Sequence, residues 1–190
     1  MSEEKKIRVL FYVTPKFKWK YLVNWLITIW TWCRYSHCEL WTPSEAAHNK
    51  GDFVNQNRVT RCLEPCDYYG TCYSSTMRGD DNGTRSADAS LVLKHPENWI
   101  YFEIPVTDEQ YSLLTTEMTH DVIYNEGYSR WDLLKFISPI HFPDSKRNIC
   151  SEAVNNWLVT IGILKGWGIV SPKKLYKKLI KAGYKVEKLT

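Results

Sequence analysis

Two short segments of the chain carry side chains that could do covalent chemistry together. The first is Tyr35-Ser36-His37-Cys38-Glu39-Leu40 and the second is Asn148-Ile149-Cys150-Ser151-Glu152. In a strand, the period of two puts His37 and Glu39 on one face, with Cα atoms about 6.6 Å apart. Glu39 then has the reach to hold an imidazole nitrogen, fix its tautomer and stabilise the imidazolium, as the acid does in a Ser-His-Asp triad. Cys150 falls where a helix should begin. The positive end of the helix dipole favours thiolate over thiol there. A nearby His⁺ would deepen that effect and supply general acid and base capacity. The backbone N–H of Cys150 would be free to donate to an oxyanion. The chemistry implied is attack of a thiolate on an amide or ester carbonyl. Taken singly, each residue has a plainer account: a strand His is usually a surface or satisfied core residue, and a Cys at a helix start is usually just small and buried.

The elements that must position these groups follow from hydropathy patterning. Residues 7–13 form a buried strand. Residues 18–33 carry Trp19, Leu22, Leu26, Ile29 and Trp30 near helical spacing and form an amphipathic helix. Residues 36–41 are a strand, and 43–57 a polar loop. Residues 58–63 and 71–77 are strands, and 78–89 a polar, Gly-containing loop. Residues 99–105 are a strand with Ile100, Phe102 and Ile104 on one face. Thr107-Asp108-Glu109-Gln110 matches a capping box that opens a helix to about residue 125, with Tyr111, Leu114 and Met118 inward. A short helix over 130–137 follows, and another runs from Cys150 to Gly162. Ser171 as cap and Pro172 at the first helical position start a last helix, which Gly183 ends. Residues 184–189 close as a strand. The mixture is α+β in one domain spanning 1–190.

Composition narrows the function classes. A chain of 190 residues with 44% hydrophobic and 24% charged residues is globular. Aromatic residues reach 14%, with nine Trp, five of them before residue 50. The net charge of +4 is local: residues 171–190 hold seven Lys against one Glu. No basic footprint of the kind nucleic acid requires is visible. The Lys-rich tail is a solvated helix face or contacts an anionic partner or membrane surface. The charged start carries no secretory signal, and residues 21–33 are too short to span a bilayer. A cytoplasmic setting follows, with the six Cys as free thiols.

Other sites compete weakly. Cys62 and Cys66 have the spacing of half a zinc site, with Cys72 or His48 in reach, but a second tight pair is lacking. Asp80-Asp81-Asn82-Gly83 lacks the spaced ligands of a calcium loop. No metal or cofactor is expected. Ser74 and Ser75 lack nucleophile-elbow glycines and are expected, with Tyr35, near the substrate cleft. His48 is a second candidate for orienting the base.

The wording and order of these segments resemble the circularly permuted papain-like hydrolases of the NlpC-type superfamily, most of all the small bacteriophage-encoded members. In that group a Ser-His-x-Glu strand comes early and a Cys-Ser-Glu helix start comes late. Residues 27–32 leading into the His37 strand look like the family's aromatic helix. Cys72-Tyr73-Ser74-Ser75-Thr76-Met77 followed by Gly83-Thr84-Arg85 looks like its Ser-Ser strand and Gly-Arg loop. Tyr128-Ser129-Arg130-Trp131 resembles the segment before the nucleophile, and Ser171-Pro172 the closing helix. The resemblance implies a permuted papain-like fold, a small antiparallel barrel-like sheet against helices, with Cys150 as nucleophile, His37 as base and Glu39 as orienting residue. It departs in two places: Cys38 stands where a small aliphatic residue is common, and the doubled Gly before Arg85 is missing, so Arg85 is given no role. The activity implied is cysteine peptidase or amidase action on a peptide or amide substrate, in the host cytoplasm if the chain is phage-encoded. Two alternatives stand beside it: a lipid acyl hydrolase or acyltransferase at a membrane surface, and a catalytically idle binding or structural protein of the same fold.

Overall fold

The computed structural model describes residues 5–15, 33–43, 68–76, 83–124, 149–168 and 170–189, together with the backbone of 54–55 and 58–59. The expected helices over 18–33 and 130–137 lie outside these residues, as do His48, Cys62, Cys66 and residues 80–82.

Six strands form one antiparallel sheet. β1 (Lys5–Val13), β2 (Tyr35–Pro43), β5 (Gly70–Thr76), β6 (Gly83–Asp88), β7 (Trp99–Val106) and β8 (Val186–Lys188) pair in the order β6-β5-β2-β1-β7-β8. A separate two-residue ladder joins β3 (Val54–Asn55) to β4 (Arg58–Val59). The helices are α1 (Ala89–Val92), α2 (Asp108–Tyr124), α3 (Cys150–Thr160) and α4 (Pro172–Lys181). The fold is therefore α+β, but the sheet is open. The expected barrel-like closure is corrected by the two outer strands, β6 and β8, which do not pair with each other. A second correction concerns residues 83–88. They form β6 and pair with β5 through six residues, where a loop was expected. The sequence Gly-Thr-Arg-Ser-Ala-Asp is polar because an edge strand meets solvent, and polarity alone does not distinguish it from a loop.

Both faces of the sheet carry core, as alternation requires. On one face Ile7, Val9, Phe11, Cys38, Leu40, Phe102 and Ile104 pack against Leu114 and Met118 of α2, Val154, Trp157 and Leu158 of α3, and Leu175 and Leu179 of α4. On the other, Leu10, Trp41, Cys72 and Trp99 pack with Ala89, Leu93 and Leu189. The helix starts follow their local chemistry. Gln110 donates its N–H to Thr107 Oγ1 at 3.2 Å while Thr107 N–H donates to Gln110 Oε1 at 3.0 Å, the reciprocal bonds of a capping box. Ser171 Oγ accepts from Lys174 N–H at 3.3 Å at the head of α4. That helix lays Leu175 and Leu179 inward and leaves Lys174, Lys177 and Lys181 exposed. Lys178 instead donates to Asn155 Oδ1 at 2.8 Å and to the carbonyls of Lys165 and Gly166, which fastens the loop after α3. Among the described residues, no helix is long and apolar enough to cross a membrane.

Candidate active site

The site forms where a strand ladder stops. β2 pairs with β5 only from Leu40 opposite Tyr73 to Pro43 opposite Gly70. Beyond Leu40, towards His37, the β2 edge is released from β5, and side chains take over its backbone groups. Ser74 Oγ donates to the Cys38 carbonyl at 3.0 Å. The Cys38 N–H lies on the same edge and donates to the sulfur of Cys150, the first residue of α3. The gap matters because alternation sends Cys38 towards α3 and His37 towards the opposite face. There His37 sits opposite Tyr12, with its ring edge-on to Trp99 at 6.5 Å. A continuous ladder would separate His37 from α3. The Cys150 sulfur is near enough to both residues for each of them to shift its ionisation.

The imidazole is held from its far side. His37 Nε2 lies 3.0 Å from Glu39 Oε1 and 3.3 Å from Ser74 Oγ. The Ser74 hydroxyl has one proton, and the carbonyl of Cys38 takes it, so Ser74 meets His37 as an acceptor. Both contacts therefore require the proton of a neutral ring to sit on Nε2. Glu39 is 1% exposed, and its Oε1 also accepts from Arg85 Nη2 at 3.0 Å. Arg85 reaches it because β6 places Arg85 opposite Ser74, which itself stands beside Glu39. A buried carboxylate is thus bracketed by a guanidinium and an imidazole, the arrangement that makes burial of the charge tolerable.

The electrostatics follow from these contacts. The hydrogen bond from the Cys38 thiol, against the cost of burial and with help from the His37 charge, holds the Cys150 thiol well below the usual thiol range. Burial works against a charged His37, but the Cys150 sulfur and the Glu39 carboxylate outweigh it and push the ring up to about 9. Cys38 moves the other way: burial and the adjacent Cys150 anion push its thiol well up. Both shifts favour the thiolate–imidazolium form of the pair. Ile149 caps α3 without a side-chain bond. The Cys150 N–H, as the first of the helix, has no intrahelical acceptor.

The remaining expected residues fall as follows. Ser74 and Ser75 are fully buried, so Ser74 belongs to the network that holds His37 and does not line an open cleft. Tyr35 is half-buried and stacks on Tyr176 with ring centroids 4.8 Å apart. Arg85 was given no role from sequence. Its contact with Glu39 becomes visible only once residues 83–88 are recognised as a strand, because alternation then carries it to the face of Ser74 and Glu39. No family model, curated protein or solved structure matches the chain.

Proposed function

We propose that the protein is a cysteine hydrolase of permuted papain-like design, acting on an amide or peptide bond through an acyl-enzyme. The observation that carries this reading is a cysteine at a helix N-terminus, its thiol held well down by Cys38 and His37, with the His37 imidazole held in turn by a buried, ion-paired carboxylate. The order supports it too, with the base on an early strand and the nucleophile on a late helix packed against the same sheet.

The steps follow from the protonation states. The Cys150 thiolate attacks the carbonyl carbon, and the Cys150 N–H steadies the developing oxyanion. The His37 imidazolium gives its Nδ1 proton to the leaving amine. The neutral ring then takes a proton from water, which attacks the thioester and releases the acid. Glu39 and Arg85 keep the ring oriented through both steps.

The test is a panel of electrophilic amide and ester probes on the native protein, with the labelled residue mapped by mass spectrometry. Labelling of Cys150, lost in Cys150→Ala and in His37→Ala, supports the reading. Undiminished hydrolysis by Cys150→Ala would sink it. Turnover of acyl esters in vesicles with no amide turnover would move the substrate to the lipid class, where the exposed lysines of α4 suit an anionic surface.

A further inference from the structure

The sulfur of Cys150 has a second thiol against it. Cys38 is 0% exposed and Cys150 is 8% exposed, and both belong to the same core cluster. Cys38 projects from β2 towards the helix face of the sheet, where Cys150 begins α3, and each thiol is the strongest side-chain influence on the other's ionisation. Hydrolysis as described above makes no covalent use of Cys38. A neutral thiol facing a thiolate is nonetheless the arrangement from which a disulfide forms.

We propose that Cys150 and Cys38 form an oxidative modification site, in which a peroxide oxidises Cys150 and Cys38 resolves the product as an intramolecular disulfide. In the first step the Cys150 thiolate attacks a peroxide oxygen. An S–O bond forms, the O–O bond breaks, and the His37 proton leaves with the alkoxide or hydroxide as alcohol or water. The product is Cys150 sulfenic acid. In the second step the Cys38 sulfur attacks the Cys150 sulfur. An S–S bond forms, the S–O bond breaks, and the Cys38 proton leaves with hydroxide as water. Two thiols have lost two electrons and the peroxide has gained them.

The surroundings set the order. Cys150 is the less buried of the two, at 8% exposure against 0%, so the peroxide meets Cys150 first. Burial comes first among the causes that hold Cys38 protonated, and the Cys150 anion adds to it. Oxidation turns that anion into a neutral sulfenic acid, which removes the repulsion and frees Cys38 to react. Cys150 is also the first residue of its helix, the position least tied by intrahelical bonds, so its sulfur can close from contact to the bonded distance of about 2.05 Å. Cys72 offers no competing route. It is buried in the cluster on the other face, where burial pushes its thiol well up.

The inference rests on the reading of Cys150 as a thiolate nucleophile, but its readout is covalent mass and not turnover. The full chain is treated with one equivalent of hydrogen peroxide, quenched with iodoacetamide and digested without reductant. The expected result is a Cys38–Cys150 cross-linked peptide lighter by two hydrogens, with complete loss of Cys150 alkylation that dithiothreitol reverses. In Cys38→Val, or in Cys38→Ser if the first does not fold, dimedone should trap Cys150 sulfenic acid and reductant should no longer restore alkylation after excess peroxide. A dimedone adduct or sulfinic acid on Cys150 of the unmodified sequence, without the cross-link, overturns the proposal. If no probe is hydrolysed but the cross-link forms, the hydrolase reading fails and this one stands. If probes are hydrolysed and the cross-link never forms, the reverse holds.

Discussion

Replacing Cys150 with Ser tests whether the thiolate–imidazolium pair exists. The substitution keeps the volume and removes the anion. In the unmodified protein the His37 ring is raised from 6.5 to about 9 despite full burial. At about 1.36 kcal/mol per unit, that is a net preference for the charged ring of roughly 3 kcal/mol. Burial is the largest single influence and acts downward. The two contributions from Cys150 come next, ahead of the two from Glu39. Taking away the larger upward share should lower the ring clearly below its value in the unmodified protein. Titration of the His37 Cε1 proton by NMR, with the signal assigned by its disappearance in His37→Gln, measures both values. A ring that titrates near 6.5 in the unmodified protein would refute the ion pair. A ring still at about 9 in Cys150→Ser would show that Cys150 does not set it.

Other perturbations test the neighbouring links. Because the Cys150 thiol is held well below its usual range, its thiolate persists as pH falls. Iodoacetamide labelling of Cys150 should therefore slow less as pH falls from 8.5 to 6 than that of an ordinary thiol of pKa about 8.5, which slows about tenfold per unit. Hydrolysis should decline as pH rises through about 9, where His37 loses the proton the leaving group needs. Glu39→Gln removes the acceptor charge from Nε2 and should slow probe turnover about 10²- to 10⁴-fold, read by steady-state kinetics. Arg85→Met leaves the buried Glu39 carboxylate without its guanidinium and should cost about 3 kcal/mol in urea unfolding. Ser171→Ala removes the cap of α4 and should lower the urea midpoint by the equivalent of about 1 kcal/mol with an unchanged slope.

Local signals in the sequence carried part of this architecture. Thr107 and Gln110 announce their helix because the capping box is satisfied within four residues. Ser171-Pro172 does the same, and Cys150 stands at the predicted helix start. The contact between His37 and Glu39 was legible for the same reason, since two positions on one strand meet through the pleat alone. What was hidden depends on partners far away in the chain. Residues 83–88 are polar enough to pass for a loop until β5 pairs with them, and Arg85 is invisible until that pairing turns it towards Glu39. Closure of the sheet could not be judged from strand patterns, because alternation is the same in an open sheet and a barrel. The end of the β2–β5 ladder at Leu40 and the irregular β1–β2 register beside His37 leave no mark in residues 36–41.

The spacing of His37, Glu39 and Cys150 along the chain also orders their assembly. His37 and Glu39 are two residues apart on β2, so bringing them together costs almost no chain-closure entropy. Cys150 lies more than a hundred residues further on, and closing a loop of that length costs about 4 kcal/mol. Base and acid are thus paired as soon as the strand extends, while the sulfur joins them only when α3 docks. A nascent or partly unfolded chain has an oriented imidazole without its thiolate, and reactivity becomes a late marker of the native state.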